Sequence, residues 1–134
     1  MSAADRTPGP VGILLFDDDA VLSWRDMANL LRSIWTDQAG PAAACERVRA
    51  VMAKQLTRHR ITSGFRSPIR VAAKSGSLVG VVRNEIGVIS HPDGRRYAAA
   101  VFTRSLPGSD DVAISGAIGT ATALAVTALR EGEA

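Results

Sequence analysis

Three apolar segments that follow one another in the second half of the chain constrain its fold most. They span residues 69–76, 81–89 and 96–103, and each has the length and apolar character of a strand. A His-Pro-Asp-Gly sequence at residues 91–94 predicts a tight turn between the second and third segments. The order favours an antiparallel meander in which the first and third strands form the edges.

Two helices are predicted before these strands. Ser23 and Asp26 match a capping box, with a hydroxyl at the cap and a carboxylate three residues later, and the helix should end near Asp37. Its apolar face would contain Met27, Leu30, Leu31 and Ile34. Pro41 suits the first turn of a second helix. The buried stripe predicted for that helix consists of Val48, Val51, Met52 and Leu56.

A third, longer helix is predicted from residue 112 to about 130. Asp110 or Asp111 would cap it, since both precede the apolar run. The run is long enough to raise the question of a membrane span, but it consists mostly of alanine, glycine, serine and threonine. A helix buried in a soluble domain is therefore expected. Its small residues would let it lie close against the sheet; they include Gly116, Ala117, Gly119 and Ala121.

Length and composition indicate one globular domain. The chain has 134 residues, of which 46% are hydrophobic and 22% charged. Residues 1–10 are expected to form a flexible arm and residues 11–134 the domain. The predicted fold class is α+β, an antiparallel sheet of three strands, or four if residues 11–16 join it, flanked by helices. Residues 1–10 lack the features of a signal peptide, so the chain as written is expected in the cytoplasm.

Several kinds of partner are not expected. The charge of +3 comes from 14 arginines and two lysines, and no aromatic residues alternate with the basic ones, so a solvated surface is favoured over nucleic-acid binding. The single cysteine, Cys45, is predicted to be a small buried residue. Residues 17–19, three consecutive aspartates, are interpreted as a solvated turn, because an oxygen site needs several converging ligands. We expect no metal, cofactor or membrane partner.

The sequence Lys74-Ser75-Gly76-Ser77 ends the first predicted strand and carries the most specific chemistry. A lysine there places a positive charge beside a substrate carboxylate, and the Ser75 hydroxyl can donate a hydrogen bond to the same group. Gly76 allows a ligand to approach the backbone, and the N–H of Ser77 can act as an oxyanion donor. Taken alone, the triplet is also compatible with a strand that ends in a solvated lysine.

The surrounding sequence resembles the third, fourth and fifth strands of class A β-lactamase-like serine hydrolases. The resemblance includes Lys-Ser-Gly-Ser, Arg-Asn-Glu-Ile-Gly-Val-Ile, Pro-Asp-Gly-Arg and Ala-Val-Phe-Thr, all between residues 71 and 104. It extends over residues 20–130 and implies the C-terminal half of a family member. It also implies that Lys74 and Ser75 hold a substrate carboxylate and that the Ser77 N–H polarises the substrate carbonyl.

Other parts of the family pattern are missing. No serine has a lysine three positions later, and no glutamate precedes Glu46. The nearest match to the Ser-Asp-Asn box, at residues 109–111, follows the Lys-Ser-Gly box and is interpreted as a helix cap. Glu85 is interpreted as structural. No catalytic residue is therefore assigned.

Two functional hypotheses follow. The first is a β-lactamase-type serine hydrolase fragment whose nucleophile comes from elsewhere, by pairing with an N-terminal half-chain or because the gene is a fragment. The second is a non-catalytic truncated domain that acts as a binding or dimerisation module; a basic nucleic-acid module is a weaker third. The family topology would leave the outer edge of residues 96–103 unpaired, so we expect self-association unless residues 11–16 fill it. The resemblance also implies that the protein acts outside the cytoplasm, as members of the family usually do.

Overall fold

An antiparallel sheet of three strands forms the centre of the fold, as the sequence predicts. The computed structural model describes residues 14–15 and 21–133. In chain order the elements are β1 (Leu14–Leu15), β2 (Val21–Leu22), α1 (Trp24–Trp35), α2 (Ala42–Ala53), a 3-10 turn (Ile61–Gly64), β3 (Arg70–Leu78), β4 (Val82–Ser90), β5 (Arg96–Arg104) and α3 (Asp111–Gly132). The spatial order of the main sheet is β3-β4-β5.

The register of β3 against β4 corrects one prediction about the Lys-Ser-Gly triplet. The predicted strand stops at Gly76, whereas β3 continues to Leu78, which pairs with Val82. Gly76 itself lies opposite Asn84. Because residues after the triplet still find partners on β4, the triplet lies inside the strand and not at its end.

The two faces of the sheet are covered by different helices. On one face α1 and α2 pack through Leu31, Met52 and Val88. On the other face α3 and the 3-10 turn pack through a larger cluster, which contains Ile61, Val71, Ala73, Ile89, Tyr97, Ile118 and Val126. Successive residues of β3 point to opposite faces. Ser75 and Ser77 therefore continue the row of Val71 and Ala73 toward the α3 face.

The start of α1 confirms the predicted capping box. The Asp26 N–H donates to Ser23 Oγ at 3.1 Å, and the Ser23 N–H donates to Asp26 Oδ2 at 3.0 Å. Leu31 is fully buried, as expected. Leu30, which we placed on the same face, is instead 45% exposed.

The buried stripe predicted for α2 is largely wrong. Val51 is 67% and Leu56 94% exposed, and the buried residues of this helix are Cys45 and Met52. The helix packs against β3 and α1, and half-buried Arg49 donates to the Ile34 carbonyl of α1 at 2.6 Å, whereas Leu56 lies beyond the end of the helix. The prediction that Cys45 is buried is confirmed.

Helix α3 is less buried than predicted. Asp110 caps it by accepting from Val112 N and Ala113 N, as expected. Its buried residues are Ser115, Ile118, Gly119, Thr122 and Val126, whereas Leu124 is 67% exposed. By length and composition alone, α3 is long and apolar enough to cross a membrane. Its closest approach is to the 3-10 turn, because the contact is made through Gly119 and not through the alanines.

Residues 14–15 do not extend the main sheet. Leu14 pairs with Leu22 and Leu15 with Val21 in a separate two-stranded ribbon. Among the residues that the structure describes, no strand pairs with the outer edge of β5. The predicted flexible arm and the predicted turn at residues 17–19 lie outside the described residues.

Candidate functional site

The four predicted site residues lie together on β3. Lys74, Ser75, Gly76 and Ser77 face Ile86, Glu85, Asn84 and Arg83 of β4, respectively. Ser75 is half-buried, and the other three are exposed. They share the outer edge of the sheet, since β3 has β4 on one side and no strand of the described residues on the other.

Hydrogen bonds show which backbone groups of β3 point outward. The Ser75 N–H donates to Gln55 Oε1 at 2.7 Å, and Lys74 Nζ curls over the edge to donate to the Ser75 carbonyl at 2.6 Å. The N–H and C=O of one residue in an antiparallel strand point to the same side, and residues two apart repeat that direction. The N–H of Ser77 therefore also points to the outer edge.

Arg60 lies beneath this edge and is not among the predicted site residues. It is only 5% exposed, although a solvated surface is what the sequence predicts for the basic residues. Its Nη1 donates to the Asn84 carbonyl at 2.9 Å and, at 3.4 Å, to the Gly76 carbonyl. Its Nη2 donates to Ser77 Oγ at 2.8 Å, while Nε is buried without a partner. Within the described residues, no carboxylate lies within 4.0 Å of the guanidinium.

A buried network holds Arg60 and β3 in place. Glu85, 1% exposed, accepts from the Ile61 N–H at 2.6 Å and from Gln55 Nε2 at 2.9 Å. Gln55 in turn accepts from the outward N–H of Ser75. The carboxylate thus links the residue after Arg60 to the predicted site, which agrees with the structural role expected for Glu85.

A second buried arginine near the site has a different environment. Arg83 Nε lies 2.5 Å from Asp111 Oδ1, and Arg83 Nη1 donates to Ser105 Oγ at 2.9 Å. The Arg83 hydrogen bond holds the pKa of Asp111 below its usual value, and the charges of Arg60 and His59 lower it further. Arg83 therefore has its counter-ion within the chain.

The predicted site is an open rim, not an enclosed cleft. Two concavities of the described residues lie elsewhere. One, of about 330 Å³, is lined by Trp35, Arg49 and Arg70 at the other end of β3. Among the described residues, no group of three or more histidine, cysteine, aspartate or glutamate side chains could hold a metal ion.

A comparison of the sequence with known families identifies its relatives. The sequence model of the β-lactamase enzyme family matches residues 7–128 of the 134. The chain belongs to the β-lactamase enzyme family. The resemblance inferred from residues 71–104 is thereby confirmed. The α+β class is confirmed by the observed helices and antiparallel sheet. This β-lactamase family chain carries on β3 the Lys-Ser-Gly sequence on which the resemblance was first based.

Three relatives indicate how much of the family fold the chain represents. The β-lactamase regulatory protein BlaB of Streptomyces cacaoi is 34% identical over 98 residues, which are 64% of this chain and 31% of that protein. A β-lactamase from Sphaerobacter thermophilus is 32% identical, with a TM-score of 0.68 over 87% of this chain and 44% of its own. A variant of the last common ancestor of Gram-negative class A β-lactamases gives a TM-score of 0.74 at 22% identity, over 92% and 46% of the two chains. This β-lactamase family chain thus spans less than half the length of these relatives.

Proposed function

We propose that the outer edge of β3 binds the carboxylate of a β-lactam or a related acyl ligand. The observation that carries the proposal is the burial of Arg60, with one N–H unsatisfied and no carboxylate of the described residues within 4.0 Å. A buried ion without a counter-ion is unfavourable in a folded protein. A bound anion would act as the counter-ion of Arg60 and would account for its burial.

Each residue of the rim has a part in this proposal. Arg60 supplies charge from beneath and keeps Ser77 Oγ in place through Nη2. Lys74 supplies a second charge, which it can turn from the Ser75 carbonyl toward a ligand at the same edge. The Ser75 hydroxyl donates to the carboxylate, and the outward N–H of Ser77 donates to the ligand carbonyl.

The proposal assigns binding, and no bond cleavage, to these residues. A hydroxyl becomes an effective nucleophile only beside an activating base. Ser75 has no hydrogen bond from its hydroxyl to a base among the described residues, and the chain has no Ser-x-x-Lys sequence. A role in recognising β-lactams without turnover also suits a relative of a β-lactamase regulatory protein. A nucleophile from another polypeptide segment would convert the same rim into a hydrolase site.

The two lysines of the chain allow a matched test. Calorimetric titration with benzylpenicillin should detect binding to the native protein, and Lys74→Gln should weaken it by about tenfold, because a charge-assisted hydrogen bond is lost. Lys54→Gln, at the exposed end of α2, should bind as the native protein does. Equal affinity of both variants, or no binding by the native protein, would remove the proposal. Steady turnover of a chromogenic cephalosporin by the isolated chain would contradict the assignment of binding alone.

A second candidate, an association module, is favoured by the exposed surface of α3. Leu124 and Leu129 are 67% and 56% exposed, and no charged residue lies between residues 112 and 129. The outer edge of β5 lies in the same sheet that α3 covers and has no strand partner among the described residues. An apolar helix face and an unpaired strand are both favourable contacts for a second chain.

Light scattering over a range of concentrations tests this second candidate. The native protein should show a mass that rises with concentration, and Leu124→Glu should lower that rise, because the charge would be buried in the contact. Leu106→Glu is the matched control, since Leu106 is 80% exposed in the loop before α3. A monomeric mass at every concentration for a folded native protein would speak against an association role.

A further inference from the structure

The 3-10 turn and α3 touch backbone to backbone through two glycines. A Cβ on Gly119 would lie 2.5 Å from the Arg60 carbonyl oxygen and 2.9 Å from Gly64 N, and closer still to Ser63 Oγ. A Cβ on Gly64 would collide with the Gly119 carbonyl. Cβ atoms essentially never come within 3.0 Å of such atoms, so the contact as it stands requires glycine at both positions.

This contact acts directly on the backbone of Arg60. The Arg60 carbonyl, which a Cβ at position 119 would meet, accepts from Ser63 N at 3.0 Å and from Ser63 Oγ at 2.6 Å. The next residue, Ile61, is held from the other side by Glu85. The main chain at Arg60 is therefore held between α3 and β4, and its side chain extends from this fixed point to Ser77.

Helix α3 is fixed near the rim at two points. Its first residue, Asp111, binds Arg83 of β4, and its middle residue, Gly119, contacts the 3-10 turn. Gly119 lies in the centre of the helix's buried residues, which run from Ser115 to Val126. A change in how closely α3 approaches the turn would therefore move the Arg60 backbone before it moved the strands.

We propose that Gly119 is a positioning residue for the anion site, because its contact with Gly64 sets the place of Arg60 beneath β3. The consequence for binding rests on the proposed carboxylate site. The position of the Arg60 guanidinium is a property of the unliganded protein and is measured separately. Gly119 touches no ligand in this proposal and acts only through Arg60.

Two glycines on the same helix provide the experiment. Gly119→Ala adds a methyl group at the contact, whereas Gly116→Ala adds one where nothing lies within 4 Å. In the free protein, Gly119→Ala should shift the NMR signals of the Arg60 Nε–H and the Ser77 amide, and Gly116→Ala should leave both in place. In titrations with benzylpenicillin, Gly119→Ala should bind about tenfold more weakly or worse, since a hydrogen bond from a charged group would be misplaced.

The outcomes separate this inference from the proposed function. Unchanged Arg60 and Ser77 signals in folded Gly119→Ala would overturn the positioning role, as would native affinity in that variant. If no form of the protein, including the native one, binds benzylpenicillin, the proposed function fails and the NMR signals alone decide the positioning role. If Gly119→Ala does not fold, Ser63→Ala replaces it, because it removes a hydrogen bond to the Arg60 carbonyl without adding volume. Ser63→Ala should move the same signals by less, and unchanged signals would again overturn the inference.

Discussion

The two outer edges of the sheet differ in whether their hydrogen-bonding groups are already occupied by side chains. At β3, the outward N–H of Ser75 is bound by Gln55, its carbonyl is bound by Lys74, and Arg60 lies beneath. At β5, no strand of the described residues pairs with the outer edge. The face that α3 turns away from the sheet is apolar and largely exposed.

The two proposals use this difference: ligand binding is assigned to the β3 edge, and chain association to the β5 edge and α3. Side chains already occupy hydrogen-bonding groups on the β3 edge, so a further strand could pair there only by displacing them. The charges at that edge suit a small anion. The β5 edge and the α3 surface offer main-chain groups and apolar area, which suit another polypeptide. Each prediction below changes one of these regions while leaving the other intact.

The largest effect is expected from the buried carboxylate behind the β3 edge. Glu85→Ala would leave the Ile61 N–H and one of the two N–H groups of Gln55 Nε2 without an acceptor, while the other Nε2 hydrogen bond, to the Thr57 carbonyl, remains. Each unsatisfied buried donor costs about 1–3 kcal/mol, so we expect the free energy of unfolding to fall by about 2–5 kcal/mol in urea titrations. Penicillin binding should weaken as well, because the backbone beside Arg60 is released.

Two further variants are controls for the loss of stability expected in Glu85→Ala. Glu85→Gln keeps one carbonyl acceptor and should be destabilised less than Glu85→Ala. Glu131→Ala, near the exposed end of α3, should change the unfolding free energy by less than about 0.5 kcal/mol. A loss in Glu85→Ala no larger than in Glu131→Ala would mean that the network does not hold the β3 edge.

Arg60 gives the next largest effect, on binding more than on stability. Arg60→Met removes the buried charge and fills most of the space of its stem. We expect the affinity for benzylpenicillin to fall about tenfold or more, while the unfolding free energy changes by about 1 kcal/mol or less, because the lost hydrogen bonds are offset by the removal of an unpaired buried charge. Arg58→Met, exposed two residues earlier, is the control. Native affinity in Arg60→Met would show that the rim binds without it.

The strands and caps could be predicted from the sequence because local patterns determine them. The turn at residues 91–94 and the caps Ser23 and Asp110 are formed by neighbouring residues, and all occur as expected. The face of α2 could not be predicted from its valines. That face depends on how α2 packs against β3 and α1, and Arg49 meets its partner on α1, the Ile34 carbonyl, across 15 positions.

The rim was predicted only in part for the same reason. Lys74 to Ser77 form a recognisable motif, whereas Arg60 and Gln55 join them only through the folded chain. The burial of Arg60 has no local sign, since Arg70 and Arg96 also directly precede buried residues and are themselves exposed. The close contact of Gly64 with Gly119 has no local sign, since it joins two segments 55 positions apart.

The smallest effect concerns the two buried arginines near the rim, of which Arg83 pairs with a carboxylate and Arg60 has none within 4.0 Å in the part of the chain that the structure describes. The Arg83 hydrogen bond lowers the pKa of Asp111 from its usual 3.8 in the folded chain. The pair of Arg83 and Asp111 stabilises the fold at pH values above the pKa that Asp111 has in the unfolded chain. This contribution is lost as the pH falls through the lower pKa that Asp111 has in the folded chain. Asp111→Asn should therefore melt at a slightly lower temperature than the native protein near neutral pH.

The difference between the two melting temperatures should shrink as the pH falls well below 3.8, where Asp111 of the native protein becomes protonated. Asp26 and Asp93, whose pKa values are also lowered, are present in both proteins, so their titration cancels in the comparison. Benzylpenicillin should bind Asp111→Asn at least as tightly as the native protein, because a negative charge near Arg60 is removed. Weaker binding by Asp111→Asn would place the anion nearer Arg83 than Arg60. A melting difference that stays constant with pH would mean that the charge of Asp111 contributes nothing to stability.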